Sequence, residues 1–535
     1  MADLGCYFSN IFIRLVTSSR NKVNTLHKSS KAMIAVFAVL LMLASAVIIM
    51  IPNDSEAAPD FSKNTVPGSP ATYSDARLWI LGNANGDMVI DASDKTVINA
   101  AVTQGATKAQ APMCDANNDG NITSADADFV QSLIDGSATF VYYYNVDGKV
   151  AKFDVKSNIK IVAIHRCVVR STTVLANCTD DKVNVVAMDS TPFKEVEFNV
   201  SVNYPGCIDA GDYKQWSSET IATQVSTIGG DPSQIVYCVG TEDYYLKDQL
   251  ESWATTYGAQ VIRIPTWEHH PTEGILTTAY LFSGVGATNT RADDTCWHHA
   301  LKYGDWAFGY IDKIEAESSK IAEGDRLKVL GVYTTTKNYE HKNQTRGPGS
   351  GDHENFITCG GNSIATRFGD KSAVDWTMEN LATYCTDLDI LVLMGANCFS
   401  KTEFDLNEDA KELAEIVDGY VKKGCKVYAM TWALNGAPFV VQLAYYSKIL
   451  MPDNSALNDL NPDTVWAEYK ELIGWDKRTD ISLPTKMVYS DPSNPGVTKT
   501  GDDNGGSINM GLVAGIAVGV VAVIAILGFV FLRKR

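Results

Sequence analysis

The chain has 535 residues, with 45 Lys and Arg against 63 Asp and Glu and a formal net charge of −18. No basic patch of useful size exists outside two terminal flanks, which argues against nucleic acid as a partner. An acidic surface instead suits an exported ectodomain.

Residues 1–31 form a leader carrying Arg14, Arg20, Lys22, Lys28 and Lys31, and residues 32–51 follow as 20 residues without a charge. Near the other end, within an anchor placed at 508–532, residues 510–532 are 23 residues without a charge, followed by Arg533-Lys534-Arg535. Either stretch is long enough to cross a hydrocarbon core of about 30 Å. Both basic flanks are expected in the cytoplasm, so everything between lies outside the cell. The first stretch reads either as a membrane span or as a signal removed near Ala44-Ser45-Ala46 or Ala57-Ala58, with Met33 as an alternative start. Residues 52–73 and 491–507 read as flexible spacers. Three Asn-x-Ser/Thr sequons, at Asn177, Asn199 and Asn343, are compatible with surface glycosylation. Eleven cysteines are scattered without a CxxC pair; ten of them fall outside the cell, where disulfides are permitted.

Two stretches in 74–136 repeat one pattern. Asn83, Asn85, Asp87, Asp91 and Asp94 stand at positions 1, 3, 5, 9 and 12 of the first loop; Asp115, Asn117, Asp119, Thr123 and Asp126 stand there in the second. Position 7 offers a backbone carbonyl, from Val89 and Asn121, and position 8 is aliphatic in both. That spacing wraps one Ca²⁺ in six or seven hard oxygens, so two Ca²⁺ sites are expected. Position 6 needs a sharp turn; Gly120 supplies it and Met88 does not, which makes the first site the weaker. Helices are expected over 92–104 and 124–133. A calcium loop with Asp at position 12, followed by a helix and repeated, resembles a type I dockerin. The resemblance implies a small all-α module that docks, when loaded with calcium, onto a cohesin-bearing protein.

Residues 142–155 carry a hairpin signal around Val146-Asp147-Gly148-Lys149. Strands are then expected at 159–164, 183–188, 234–239 and 260–264, with helices between them, giving a first α/β lobe over 137–290. Residues 292–321 read as one helix too long for an ordinary crossover, and 291–322 is taken as an interlobe helix. Strands at 327–333, 389–394 and 426–430 rebuild the alternation as a second lobe over 323–490. The fold class is therefore α/β: two doubly wound lobes joined by a long helix, plus the calcium-loop module and terminal transmembrane helices.

The order of segments 155–186, 233–265, 347–365, 375–393 and 434–452 resembles the substrate-binding proteins of iron–siderophore, haem and cobalamin ABC importers. It includes the Gly360-Gly361-Asn362 turn and the closing Leu443-Ala444 to Pro452 helix. The chain departs from that family by an insertion over 193–215. The resemblance implies capture of a metal chelate outside the cell, delivery to an ABC permease, and a cleft that closes little because a continuous helix resists bending.

In such sheets ligands sit beyond the carboxyl ends of the strands. The loops there supply Arg166, Tyr244, Tyr245, Trp267 and His269 from the first lobe and Tyr339, Arg346, Trp432 and Asn435 from the second. Aromatic faces and guanidinium groups suit a large, flat, partly anionic ligand, and Arg166 and Arg346 would clamp it from opposite lobes. The plain alternatives are a surface ion pair for either arginine and core packing for Trp432. The doublets His269-His270 and His298-His299 cannot each ligate one metal with both rings, and the second pair is expected on the long helix's surface.

No nucleophile elbow, P-loop, zincin motif or dinucleotide fingerprint is present, and no catalytic residue is assigned. The rival readings are a cell-surface scaffold or adhesion protein docked through the calcium module, and a surface glycoside hydrolase.

Overall fold

The structure, a computed structural model, describes residue 64 and residues 76–176, 183–240, 246–247, 249–266, 270–333, 344–395, 424–431, 434, 436–480 and 488–489. The expected membrane segments at 32–51 and 508–532 lie outside the described residues. Among the described residues no helix is long and apolar enough to cross a membrane.

The two-loop module contains helices α1 (Ala92–Gln104) and α2 (Ser124–Ile134). Each begins with a capping box, Asp91 with Asp94 and Thr123 with Asp126, which satisfies the otherwise orphaned N–H groups of the first turn. Gly105, at φ 66°, ends α1 in the left-handed conformation. The hairpin follows as β1 (Phe140–Tyr144) and β2 (Val150–Asp154). It also serves the module. Leu81 N–H donates to Tyr142 O and Tyr144 N–H to Trp79 O, both at 2.9 Å. Ala76, Trp79, Leu81, Met113 and Tyr144 form one small core. Asn64, within the expected spacer, is buried here and bonds Ala84 O and Met113 N.

The first lobe is a parallel five-stranded sheet of β3 (Ile159–Ala163), β4 (Val183–Met188), β5 (Ile208–Asp209), β6 (Ile235–Val239) and β7 (Gln260–Arg263). Helices α3 (Arg166–Ala176), α4 (Ser218–Ile228) and α5 (Gln249–Thr256) make the crossovers. The spatial order β5-β4-β3-β6-β7 reverses between β3 and β6, a topological switch point. The insertion folds as two short helical turns, Ser190–Lys194 and Val200–Asn203, ahead of the edge strand β5.

Sequence reading left residues 271–291 without an element. They hold α6 (Pro271–Ala279), continued by a π-helical turn, Tyr280–Gly284. Helix α7 (Cys296–Ser318) joins the lobes. It is shorter at both ends than the expected 292–321, because Thr295 caps it and Ser319 closes it. Its 23 residues still span about 34 Å. It packs on α3 of the first lobe, on α6, and on the second lobe's helix Phe439–Leu450.

The second lobe contains β8 (Lys328–Tyr333), β9 (Gln344–Arg346), α8 (Gly351–Thr358), β10 (Asn362–Ser363), β11 (Ala373–Asp375), α9 (Met378–Tyr384), β12 (Ile390–Gly395), β13 (Lys426–Thr431), α10 (Phe439–Leu450), α11 (Pro462–Leu472) and β14 (Val488–Tyr489). Strands β8, β12 and β13 are parallel, whereas β9, β11 and β14 add antiparallel edges that sequence reading did not place. The eight described cysteines are all free thiols.

Candidate functional site

The two loops share a hydrogen-bond scheme position by position. The position-12 carboxylate accepts from the position-3 N–H, in Asn85→Asp94 at 3.2 Å and Asn117→Asp126 at 3.1 Å. It also accepts from the position-9 N–H, in Asp91→Asp94 at 2.9 Å and Thr123→Asp126 at 2.8 Å. The position-3 amide oxygen accepts from the position-5 N–H at 2.9 Å in both loops. Position 5 accepts from position 7, Val89 or Asn121, at 2.8 and 2.9 Å. Asp94 and Asp126 are fully buried. Burial, then the neighbouring Asp87 and Asp91 charges, pushes the Asp94 carboxyl up to about 7, and burial raises Asp126 as well. Each loop thus gathers several carboxyl groups around one buried carboxyl at position 12.

Asn83 bears on the fit of a cation. Its amide donates to Leu78 O and Asp87 O at 2.8 Å, while its Oδ1 is buried without a hydrogen-bond partner among the described residues. An orphaned acceptor at position 1 of an acidic loop matches an oxygen-seeking ion. Among the described residues no group of three or more His, Cys, Asp or Glu side chains is gathered to hold a metal. A cation here would thus depend on amide and carbonyl oxygens too. The left-handed residue of the first loop is Gly86, at φ 72°; the second loop uses Asn118, at φ 55°, and Gly120, at φ 94°. In the second loop, Lys108 Nζ stands 2.6 Å from Asp115 Oδ2 and 2.9 Å from Asn118 Oδ1.

At the switch point the chain leaves β3 through His165, whose φ of 78° is rare for a side-chain-bearing residue. Its N–H is held by Asp189, at the end of β4. Burial, and then Arg166 and Arg170, pushes the imidazole well below its ordinary range, so His165 is neutral. Arg166 pairs with Glu195 at 3.0 Å, and Arg170 makes two 2.7 Å bonds to Glu197, fully buried. Burial raises Glu195 to about 7 although Arg166 pulls it down. Asp189, Glu195 and Glu197 all follow the second strand, whose trailing loop was not among those expected to matter. Its Met188-Asp189-Ser190 strand-end sequence was the available signal.

The lobes meet at Gly436. A Cβ there would lie 3.0 Å from Thr266 O and 3.2 Å from Cys167 Cβ, and φ is 83°. Tyr303 of α7 donates to Ala437 O at 2.6 Å in the same region. His270 closes the loop after β7 and faces buried Glu273 at 2.9 Å. Of the expected cleft residues, Arg166 and Arg346 are described. Arg346 is half-buried on β9, opposite Ala373. Tyr244, Tyr245, Trp267, His269, Tyr339, Trp432 and Asn435 lie outside the described residues. His298 is a correction: it is buried, not on the helix surface, because its ring bonds Thr295 Oγ1 and Thr288 O to close the first turn of α7. Asn199, one of the sequons, donates its amide to Asp480 at 2.8 Å.

No family model matches the chain, and no curated protein matches it. Among solved structures, it is similar to the TroA-like periplasmic binding protein FepB from Veillonella parvula, at 15% identity over 62% of this chain and 95% of that one, TM-score 0.45. It is similar to Helicobacter pylori CeuE with Ni(II) bound, at 14% identity over 62% and 95%, TM-score 0.42. It is also similar to the periplasmic haem-binding protein HutB of Vibrio cholerae, at 16% identity over 54% and 98%, TM-score 0.37. These likenesses are distant, and the lobe–helix–lobe order rests on the strand pairing itself.

Proposed function

We propose that the chain is a membrane-anchored, extracellular solute-binding protein without catalytic activity. Its cargo would be a metal chelate of the iron–siderophore, haem or corrinoid class, passed to an ABC permease. The observation that carries this reading is architectural. A parallel five-stranded sheet with its switch point at His165 and a second, mixed sheet are joined by the single helix α7, and their lobes touch at Gly436. Such switch points are where open α/β sheets bind ligands. The loops there, including those with Trp267, Tyr339 and Trp432, bear the aromatic and cationic groups a flat, partly anionic chelate needs.

The two-loop module would bind Ca²⁺ through Asn83, Asn85, Asp87, Val89, Asp91 and Asp94, and through Asp115, Asn117, Asp119, Asn121, Thr123 and Asp126. Ca²⁺ would supply charge to hold these oxygens together, and a cohesin-bearing protein is the proposed docking partner. The orphaned Asn83 Oδ1 and the matched bonding of the two loops support that assignment.

Equilibrium dialysis of the full-length chain against a ferric siderophore, haem and a corrinoid, separately and with Ca²⁺ present, tests the cargo. Saturable retention of one class at one ligand per chain is expected. Failure to retain any of the three would end the importer reading.

A further inference from the structure

An outboard docking module on a spacer is expected to touch its neighbours little. Here the two-loop module, including the flank and the interior of its first loop, is fastened to α6, the turn after it and α7. Trp79 N–H donates to Thr277 Oγ1 of α6 at 3.1 Å, and the Trp79 ring lies 5.5 Å from His270. Arg77 Nη2 reaches both carboxylate oxygens of Asp312 on α7 at 2.7 Å, with its guanidinium 4.3 Å over Phe308. Asn289 Nδ2 reaches the carbonyl of Ile90, inside the loop, at 3.4 Å. Gly286 N–H donates to Leu133 O at 2.9 Å, where Gly286 and Gly136 pack backbone on backbone.

The residue that breaks the loop pattern is part of this seam. Met88 stands where the pattern calls for a glycine, and its Sδ fills the space above Gly304 of α7, beside Leu276 of α6. Docking groups and the expected metal ligands are thus interleaved in one short segment. Trp79 precedes the ligands Asn83 to Asp94, and Met88 and Ile90 stand between them. The loop cannot rearrange around an ion without moving the groups that hold it to the helices.

We propose that the two-loop module is an internal clasp, in which a divalent cation in the first loop fixes Trp79, Met88 and Ile90 against α6 and the joining helix α7. Cation occupancy then sets how firmly α6 and α7 are held together and how firmly the loop ending in His270 is held. This rests on the calcium reading of the loops. By linkage, whatever tightens α6 and α7 also tightens the first loop's hold on the ion.

The test is backbone hydrogen exchange on the purified full-length chain in detergent, with Ca²⁺ or with a chelator. Ca²⁺ is expected to slow exchange on the order of tenfold in the loop and also in Pro271–Ala279 and the first half of Cys296–Ser318. Met88→Gly, which removes the side chain above Gly304 and supplies a turn residue, should keep loop protection and lose most of the helix response. Arg77→Gln should do the same more weakly. Slowing confined to the two loops would overturn the clasp and leave the calcium reading standing. No slowing in the loops themselves would overturn both.

Discussion

Met88 and Gly304 fit as a knob and its hole: a Cβ added to Gly304 would stand 2.9 Å from the Met88 sulfur and 3.2 Å from Leu276 Cδ2. Leucine at 304 has no room at that seam. Gly304→Leu is expected to destabilise the chain by about 1–3 kcal/mol, measured by chemical unfolding. Gly304→Ala should change stability by less, because a helical alanine is favoured over glycine by about 1 kcal/mol, which offsets the crowding. An unchanged midpoint for Gly304→Leu would mean that the module does not seat on α7.

A tethered cation stands against the second loop from the segment before it. Lys108 Nζ lies 2.6 Å from fully buried Asp115, the position-1 oxygen donor. A bound Ca²⁺ would have to displace or repel that ammonium. Lys108→Met is expected to raise Ca²⁺ affinity at the second loop roughly tenfold, equivalent to ~1.4 kcal/mol, read by calorimetric titration. Equal affinity in both proteins would show that Lys108 does not compete.

Arg170 and Glu197 fasten the insertion to α3 with both charges out of water. Removing one partner leaves the other buried and uncompensated. Arg170→Ala should cost about 3–5 kcal/mol, against a much smaller loss for the double variant Arg170→Met with Glu197→Gln. A loss near zero for the single variant would mean that the pair is open to solvent.

Asp480 predicts an acid response. The hydrogen bonds from Arg478, and then from Asn199, hold its carboxyl well below the usual range. A depressed folded-state value contributes stability above the unfolded value near 3.9, and that contribution fades as pH falls below it. The Arg478→Ala variant should therefore be less stable than the parent by about 1 kcal/mol at pH 6. The difference should shrink as pH falls from about 4 toward 2, because the unfolded chain takes up the proton there while the folded parent still resists it. A gap that stays constant over that window would assign it to the other bond of Arg478, to Glu197 O.

Much of this architecture is legible in local sequence. The apolar runs at Val183–Met188, interrupted only by Asn184, and at Ile235–Val239 mark parallel strands, and the loop spacing marks both loop-and-helix units with α1 at its full length. What local pattern cannot carry is long-range pairing. Met88 reads as a defect in a calcium loop until Gly304 is brought beside it. For Arg166 the sequence offers either a ligand clamp or an ion pair, and it cannot name Glu195, from the insertion, as the pair's partner. Helix α6 escaped notice because Pro271-Thr-Glu-Gly has weak helical character; its glycine is required where a Cβ would strike Pro265 O.

Solute capture is tested most directly by thermal unfolding of the full-length chain with Ca²⁺ in excess throughout, against a ferric siderophore, haem and a corrinoid in turn. A true cargo at about 100 times its dissociation constant should stabilise the chain by roughly 2.7 kcal/mol and raise the unfolding temperature with that class alone. Superimposable transitions with all three would contradict the importer reading and leave a scaffold docked through the two-loop module in its place.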